Sequence, residues 1–459
     1  MITNYQNIYL IGIGGIGMSA LARWFNSQGF VVGGYDLTSS SLTAQLEAEG
    51  IEIHYEDLGE NIPEIFKDSR TLVIYTPAVP QSHGELTYFR SANYDVRKRS
   101  EVLGMLTRSF YTIAVSGTHG KTTTSSMVAH ILKESGKNVF AFIGGIARNY
   151  ESNLLLGDSA LGDAIMVVEA DEYDRSFLQL YPNTAIITSM DADHLDIYGD
   201  DSKVIDSFNA FAAQVASDGC IICREGLPLK NDNFGRRMMS FGQGNSSLQI
   251  ANIRIRDGAF EFDIEGAETA KGFRIHLPGR HNVYNAVAAF AAAREAGVGV
   301  IDIKKALHSF KGVKRRFETI YSDESLVYID DYAHHPAEIE ATLSAARELY
   351  QGRKITVVFQ PHLFSRTRDF MDEFAGSLSI ADEVLLLPIY PARELPLEGI
   401  TSEVLLEKLA VESKSVIGKD QLIDKIRVLE TDILITMGAG DIDRFVEPIK
   451  KVVSHEKMV

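Results

Sequence analysis

The sequence predicts an α/β protein of three consecutive units, each built on a mostly parallel sheet. Three observations predict it. The chain opens on a strand, a glycine turn and a helix, IYLIGIGGIGMSALARWF. A second such junction, YTIAVSGTHGKTTTSSMVAHILKESG, begins a new unit after about 100 residues. From residue 314 onward, apolar strand-like runs alternate with helix-compatible runs, which is the pattern of strands linked by crossover helices. The expected boundaries are 1–107, a Rossmann-like N-terminal unit, 108–313, a central P-loop unit, and 314–459, a third unit.

Size and charge bound the possible roles. A length of 459 residues suits two to four domains. The net charge is −17, from 45 basic and 62 acidic residues. That balance argues against nucleic acid or an anionic membrane as the main partner. Small phosphorylated ligands stay open, because a local cradle and Mg²⁺ can overcome a global negative field. No apolar run approaches the length of a membrane span. The start, MITNYQNIYLIGIGG, has neither a basic n-region nor a small-residue cleavage site, so the expected location is cytoplasmic. Oligomeric state is not legible. The two cysteines, Cys220 and Cys223, lie in the apolar run GCIICRE and read as buried packing residues.

In the first unit, Gly12, Gly14, Gly15 and Gly17 permit a tight turn, close backbone approach and close helix packing. A second strand, FVVGGYD, ends in Asp36, where the dinucleotide fingerprint expects a ribose-binding acid. At face value this is a nicotinamide-dinucleotide unit, and an NAD-dependent oxidoreductase is the reading from a different class. That reading leaves GTHGKTT and the acidic strand ends unexplained. The unit closes with the strand TLVIYTP and the basic segment VRKRSEV, and a loop for another nucleotide then begins. The first unit is therefore read as holding a nucleotide-linked substrate, with Thr76, Pro77 and Ala78 lining its pocket.

The central unit starts at VSGTHGKTTTSSM. Loop glycines let backbone N–H groups converge on phosphate oxygens, Lys121 adds a point charge, and the Thr122 hydroxyl suits Mg²⁺. Val115 stands where the usual P-loop has its first glycine. IMVVEADEYDRSFL is a strand ending in Glu169, Asp171, Glu172 and Asp174. Glu169 follows directly from the apolar run, so it is expected to be the least exposed and to ligate Mg²⁺. NTAIITSMDADHLDIYG is another strand, ending in Asp191, Asp193, His194 and Asp196, and its His194 can reach the same metal. In GRHNVYNAVAAF, Asn282 and Asn285 lie three apart at the start of an alanine-rich helix. They can cap the helix or read a base edge.

The third unit begins near Arg315 and Arg316. SLVYIDDYAHHPAEIEATL is strand, polar turn and helix, with Pro336 at the helix start. KITVVFQPHLFSRTRDF repeats the pattern, and its Arg366 and Arg368 suit a carboxylate or a phosphate. EVLLLPIYPARE and DILITMGAGDIDRF supply two further strands.

GIGGIGM, SGTHGKTTT, EADEYD, DADHLD, GRHNVYN, RRFE, DDYAHHP and FQPHLFSRTRD occur in this order from end to end. The ordered set resembles the Mur ligases, the ATP-dependent amino-acid ligases of peptidoglycan synthesis. The resemblance implies a UDP-sugar-binding first domain, using the glycine loop through Met18, an ATP-binding second domain and a dinucleotide-fold-like third domain that holds the amino acid. It implies that L-alanine is joined to the lactyl carboxylate of UDP-N-acetylmuramate through an acyl phosphate, releasing ADP and phosphate. Carried over by motif, Gly117, Thr118, His119, Gly120, Lys121, Thr122 and Thr123 hold the ATP phosphates. Thr122 and Glu169 hold one Mg²⁺, and Glu169 and His194 a second. His119 also faces the muramyl end. Asn282 and Asn285 contact adenine, Arg316 and Asp330 make interdomain ATP contacts, and His335 and Arg366 flank the amino acid and the acyl phosphate. Two departures stand out. Leu363 occupies a position where the family often has arginine. EADEYD is closer to the branch that attaches a recycled murein tripeptide to the same UDP-sugar, whereas FQPHLFSRTRD points to L-alanine.

Overall fold

A computed structural model describes residues 4–157, 162–191, 201–230, 235–392 and 394–455. It divides into two compact units, Met1–Asn252 with Phe262–Arg274 and Tyr284–Lys311, and Ile253–Glu261 with Ile275–Val283 and Gly312–Val459. Three sheets organise the chain, and no helix among the described residues is long and apolar enough to cross a membrane.

The first sheet contains β1 (Asn7–Ile11), β2 (Val31–Tyr35), β3 (Glu52–His54), β4 (Thr71–Tyr75) and β5 (Asp95–Lys98), in the order β3-β2-β1-β4-β5. All its pairings are parallel. β1 and β4 are buried at every position, as strands covered on both faces must be, which is why NIYLI and TLVIY read as unbroken apolar runs. Strand order reverses between β1 and β4, and the crevice at such a reversal is where open α/β sheets take ligands. β5 falls in the basic segment, whose VRK carries no strand signal. As an edge strand with half-buried side chains it needs one neighbour and tolerates charge.

The second sheet contains β6 (Tyr111–Ser116), β7 (Val139–Ala147), β8 (Ser152–Leu155), β9 (Ile165–Glu169), β10 (Thr184–Ile187), β11 (Cys220–Arg224) and β12 (Arg237–Gly242). It continues through β13 (Leu248–Arg256), β14 (Ala259–Gly266) and β15 (Ala270–Ile275). β6 is interior, with β9 on one side and β10 on the other, both parallel. The register sets Val115 opposite Glu169 and Ser116 opposite Ile187. The chain therefore leaves β6 for the phosphate loop beside the carboxylate that ends β9. β10 stops at Ile187, short of the expected acidic end. Cys220 and Cys223 on β11 are free and buried, and burial pushes both thiols up to about 11. They are inert packing residues at neutral pH.

The third sheet contains β16 (Glu318–Ser322), β17 (Val327–Asp331), β18 (Ile355–Phe359), β19 (Glu383–Leu386), β20 (Ser413–Val416) and β21 (Ile433–Met437). Its order is β16-β17-β21-β18-β19-β20, with only β16 antiparallel among its pairings. β17, β18 and β21 are fully buried runs of the expected kind, whereas β16 and β20 are part-exposed edges that the apolar pattern does not announce.

Candidate active site

The phosphate loop turns on two glycines. Gly117 has φ +133° and Gly120 φ +82°, conformations that L side chains rarely adopt. A Cβ on Gly120 would lie 2.7 Å from Asn285 Oδ1, so glycine is also required for room. Gly120 caps the Lys121–Glu134 helix, whose first-turn N–H groups have no intrahelical acceptor and suit an anion. The segment after β10 stitches the loop in place. Thr188 Oγ donates to the Ser116 carbonyl at 3.1 Å, the His119 N–H donates to Ser189 Oγ at 2.8 Å, and Thr118 Oγ donates to the Asp191 carbonyl at 2.9 Å. His119 Nε2 lies 3.7 Å from an Asp191 carboxylate oxygen.

Lys121 Nζ reaches both oxygens of Glu172, at 2.9 and 2.8 Å, and the carbonyls of Gly117 and Thr118, at 2.8 and 3.3 Å. Burial alone would lower the lysine pKa, but Glu172, with Asp171 and Glu169, lifts it above its ordinary value. The charge is held. Thr122 Oγ donates to Glu169 Oε1 at 3.1 Å, and the Gly144 N–H on β7 donates to Glu169 Oε2 at 3.0 Å. A hydroxyl and a carboxylate oxygen thus share one point beside the helix start. Glu172, 2 % exposed, is more buried than Glu169, contrary to expectation. The end of the apolar run sets which strand position is covered, but the ion pair with Lys121 draws Glu172 further in.

The first glycine loop gathers its own set. A Cβ on Gly12 would meet Thr76 Cγ2 at 2.6 Å, so Thr76 closes directly over the turn. The Gly14 N–H donates to Asp36 Oδ2 at 2.7 Å, and the Thr38 N–H to Oδ1 at 3.2 Å. Asp36 therefore anchors the loop backbone. Pro77 and Ala78 are exposed, Gly15 is exposed, and Met18 is buried beneath. Arg99 packs over Gly17, where an added Cβ would lie 2.6 Å from its guanidinium.

In the second compact unit, Asp330 is completely buried. It pairs with Arg315 Nε at 3.0 Å and accepts from Thr436 Oγ at 2.7 Å. Arg316 lies 3.5 Å from Glu338. His335 caps the Pro336–Leu349 helix, its Nδ1 accepting from the Ala337 N–H at 3.4 Å, and its ring meets Phe370 edge-on. Arg366 is 9 % exposed, whereas Arg368 projects outward and pairs with its neighbour Asp369. Leu363 adopts φ +70° just before the Phe364–Asp369 helix. Asn282 donates from Nδ2 to the Pro278 carbonyl at 2.6 Å at the start of the Arg280–Glu295 helix.

Three family models match in series: "Mur ligase family, catalytic domain" over residues 7–111, "Mur ligase middle domain" over 115–293 and "Mur ligase, glutamate ligase domain" over 315–440. The chain belongs to the Mur ligase family. A protein of Cytophaga hutchinsonii called UDP-N-acetylmuramate–L-alanine ligase is 53% identical over 98% of this chain and 97% of its own. One of Christiangramia forsetii with the same name is 50% identical over 99% of both. Among solved structures, the UDP-N-acetylmuramate-alanine ligase of Thermotoga maritima superposes with a TM-score of 0.82 at 28% identity, over 99% of this chain and 100% of that one. A murein peptide ligase of Psychrobacter arcticus reaches 0.73 at 26%, over 98% and 99%.

In this Mur ligase the structure brings Gly117 to Thr123, Glu169 and Asn285 to one place. His194 lies outside the described residues, as do Asp193 and Asp196. Sequence reasoning missed the roles of Glu172, Thr188, Ser189 and Gly144. Of these, only Glu172 carried a signal, as one of four crowded carboxylates. Arg315, to which sequence reasoning gave no role at the site, is the arginine that pairs with Asp330.

Proposed function

We propose that this Mur ligase joins L-alanine to the lactyl carboxylate of UDP-N-acetylmuramate at the expense of ATP, in cytoplasmic peptidoglycan precursor synthesis. The observation that carries the reading is the pairing, at one helix N-terminus, of a charge-locked Lys121 with the Thr122–Glu169 oxygen pair. Phosphoryl transfer needs positioning and charge neutralisation more than covalent help from the protein. The domains then divide at 107 and 313, into UDP-sugar-binding, ATP-binding and amino-acid-binding parts.

The Thr122 hydroxyl and Glu169 carboxylate are hard oxygen donors 3.1 Å apart, which fits Mg²⁺, an ion that takes few protein ligands and fills its shell with water and phosphate. Among the described residues no group of three or more His, Cys, Asp and Glu side chains could hold a metal. A second ion would use Glu169 with His194. Bound there, Mg²⁺ supplies neutralisation of phosphate charge. The chain's own residues do the rest. Backbone N–H groups of Gly117 to Thr123 hold the phosphates, and Lys121 holds a permanent positive charge beside them. Asn282 and Asn285 take the adenine, and Arg316 and Asp330 are assigned to the ATP contacts. Gly12, Gly14, Gly15, Gly17, Met18, Asp36, Thr76, Pro77, Ala78 and His119 form the UDP-sugar set. The lactyl carboxylate oxygen attacks the γ-phosphorus and ADP leaves. The alanine amine, having lost its proton, attacks the acyl carbon, phosphate leaves and an amide forms. His335 and Arg366 flank that second step.

Incubation with ATP, Mg²⁺, UDP-N-acetylmuramate and hydroxylamine, without amino acid, tests the intermediate. A hydroxamate is the expected product, and its absence contradicts an acyl phosphate. The second reading, attachment of a murein tripeptide to the same UDP-sugar, is favoured by EADEYD and by the likeness to the Psychrobacter ligase. The names and identities of the full-length relatives favour alanine.

A further inference from the structure

One buried amide locks the first helix to the central sheet. Asn153, on β8, is fully buried. Its Nδ2 donates to the Ile16 carbonyl at 2.5 Å and to Ser19 Oγ at 2.9 Å, and its Oδ1 accepts from an Arg23 guanidinium nitrogen at 2.7 Å. All three partners lie on the Ile16–Ser27 helix, which starts inside the G-x-G-G-x-G turn. Arg23 is fixed in turn by Glu49 at 2.9 Å and Gln45 at 3.0 Å. Trp24 of the same helix packs on Phe140 and Phe142 of β7, with ring centroids 5.9 and 6.4 Å apart. β7 also carries Gly144, whose N–H donates to Glu169.

Apolar packing of Trp24 holds the helix on the sheet but leaves it free to slide, because dispersion contacts have no direction. Hydrogen bonds do have direction, and Asn153 uses donors and acceptor together in a dry site where losing one is costly. We propose that Asn153 is a positioning residue that fixes the glycine loop against the central sheet, so that the loop binds the UDP-sugar without first having to be ordered. The assignment rests on the functional reading above.

Asn153→Asp keeps the size and the acceptor facing Arg23 but loses both donors. Ser19→Ala removes one partner and leaves the sheet untouched, and it decides the matter should the first variant not fold. The expected result is a KM for UDP-N-acetylmuramate raised about tenfold in Asn153→Asp and a few-fold in Ser19→Ala, with kcat and the KM for ATP unchanged. Loss of stability alone would lower the active fraction without moving KM. An unchanged KM for the UDP-sugar in both variants, or an equal rise for ATP, overturns the assignment. Trp24 is the chain's single tryptophan, so its emission reads the clamp whatever the ligand. An emission maximum displaced in the variants, as the indole moves over Phe140 and Phe142, supports the clamp, and an unchanged spectrum in both overturns it. A wild-type enzyme that ignores UDP-N-acetylmuramate would sink the functional reading alone.

Discussion

Lys121 holds its charge because two loop carbonyls and the Glu172 carboxylate surround it. Lys121→Ala should reduce turnover at least about a hundredfold, the scale of losing a preorganised charge at a transition state. Binding of the UDP-sugar, followed by calorimetry, should be unaffected. Loss of that binding would contradict separate sites for the two nucleotides. Glu172→Gln leaves a buried ammonium without its counter-charge and should cost about 3 kcal/mol in denaturant unfolding. An unchanged unfolding midpoint would show that the pair is not held in solution. Lys121 is legible in the sequence because strand, glycines and helix leave it one role. Glu172 is not, since Glu169, Asp171, Glu172 and Asp174 are chemically alike in the sequence. Only the fold selects the one that turns back under the loop.

The loop–helix junctions carry the chemistry, and their geometry makes predictions of its own. Gly120→Ala would put a Cβ 2.7 Å from Asn285 Oδ1 at φ +82°. It should weaken ATP binding about tenfold, since left-handed strain alone costs roughly 1–2 kcal/mol, and an unchanged affinity for ATP would show that the junction yields. At the end of β17, the buried Asp331 and, three residues on, the half-buried His334 titrate in opposite senses. Burial pushes Asp331, which accepts from the Phe317 and Ala333 N–H groups, up to about 6. Its folded form binds the proton more tightly than the unfolded chain, so its contribution to stability rises as pH falls through 6. Burial holds His334 down to about 4, with Glu338 opposing and Arg366 adding to the fall. Its contribution is complete above the ordinary value of 6.5 and is lost as pH falls toward 4. His334→Gln should therefore lose less stability than wild type between pH 7 and pH 5. Parallel profiles for the two proteins would contradict an imidazole held neutral in the fold. Elements with unbroken apolar runs, β1, β4, β17, β18 and β21, are readable because both faces are covered. β5, β16 and β20 are not, because an edge strand's sequence answers to solvent as much as to its one neighbour.

At the scale of the whole molecule, three α/β sheets in series were legible from two glycine junctions and the final strand–helix alternation, and the ordered motifs named the family. What the motifs left open is the acceptor, because L-alanine and a tripeptide ending in diaminopimelate present the same attacking group, an L-alanyl amine. Discrimination depends on how much room follows that amine, and pocket volume is a property of side chains brought together by folding. The central claim is tested most directly by phosphate release from ATP with UDP-N-acetylmuramate, comparing free L-alanine with L-Ala-γ-D-Glu-diaminopimelate as acceptor. The account predicts turnover with L-alanine and none above background with the tripeptide. Turnover with the tripeptide alone would contradict it and assign the chain to the recycling reaction.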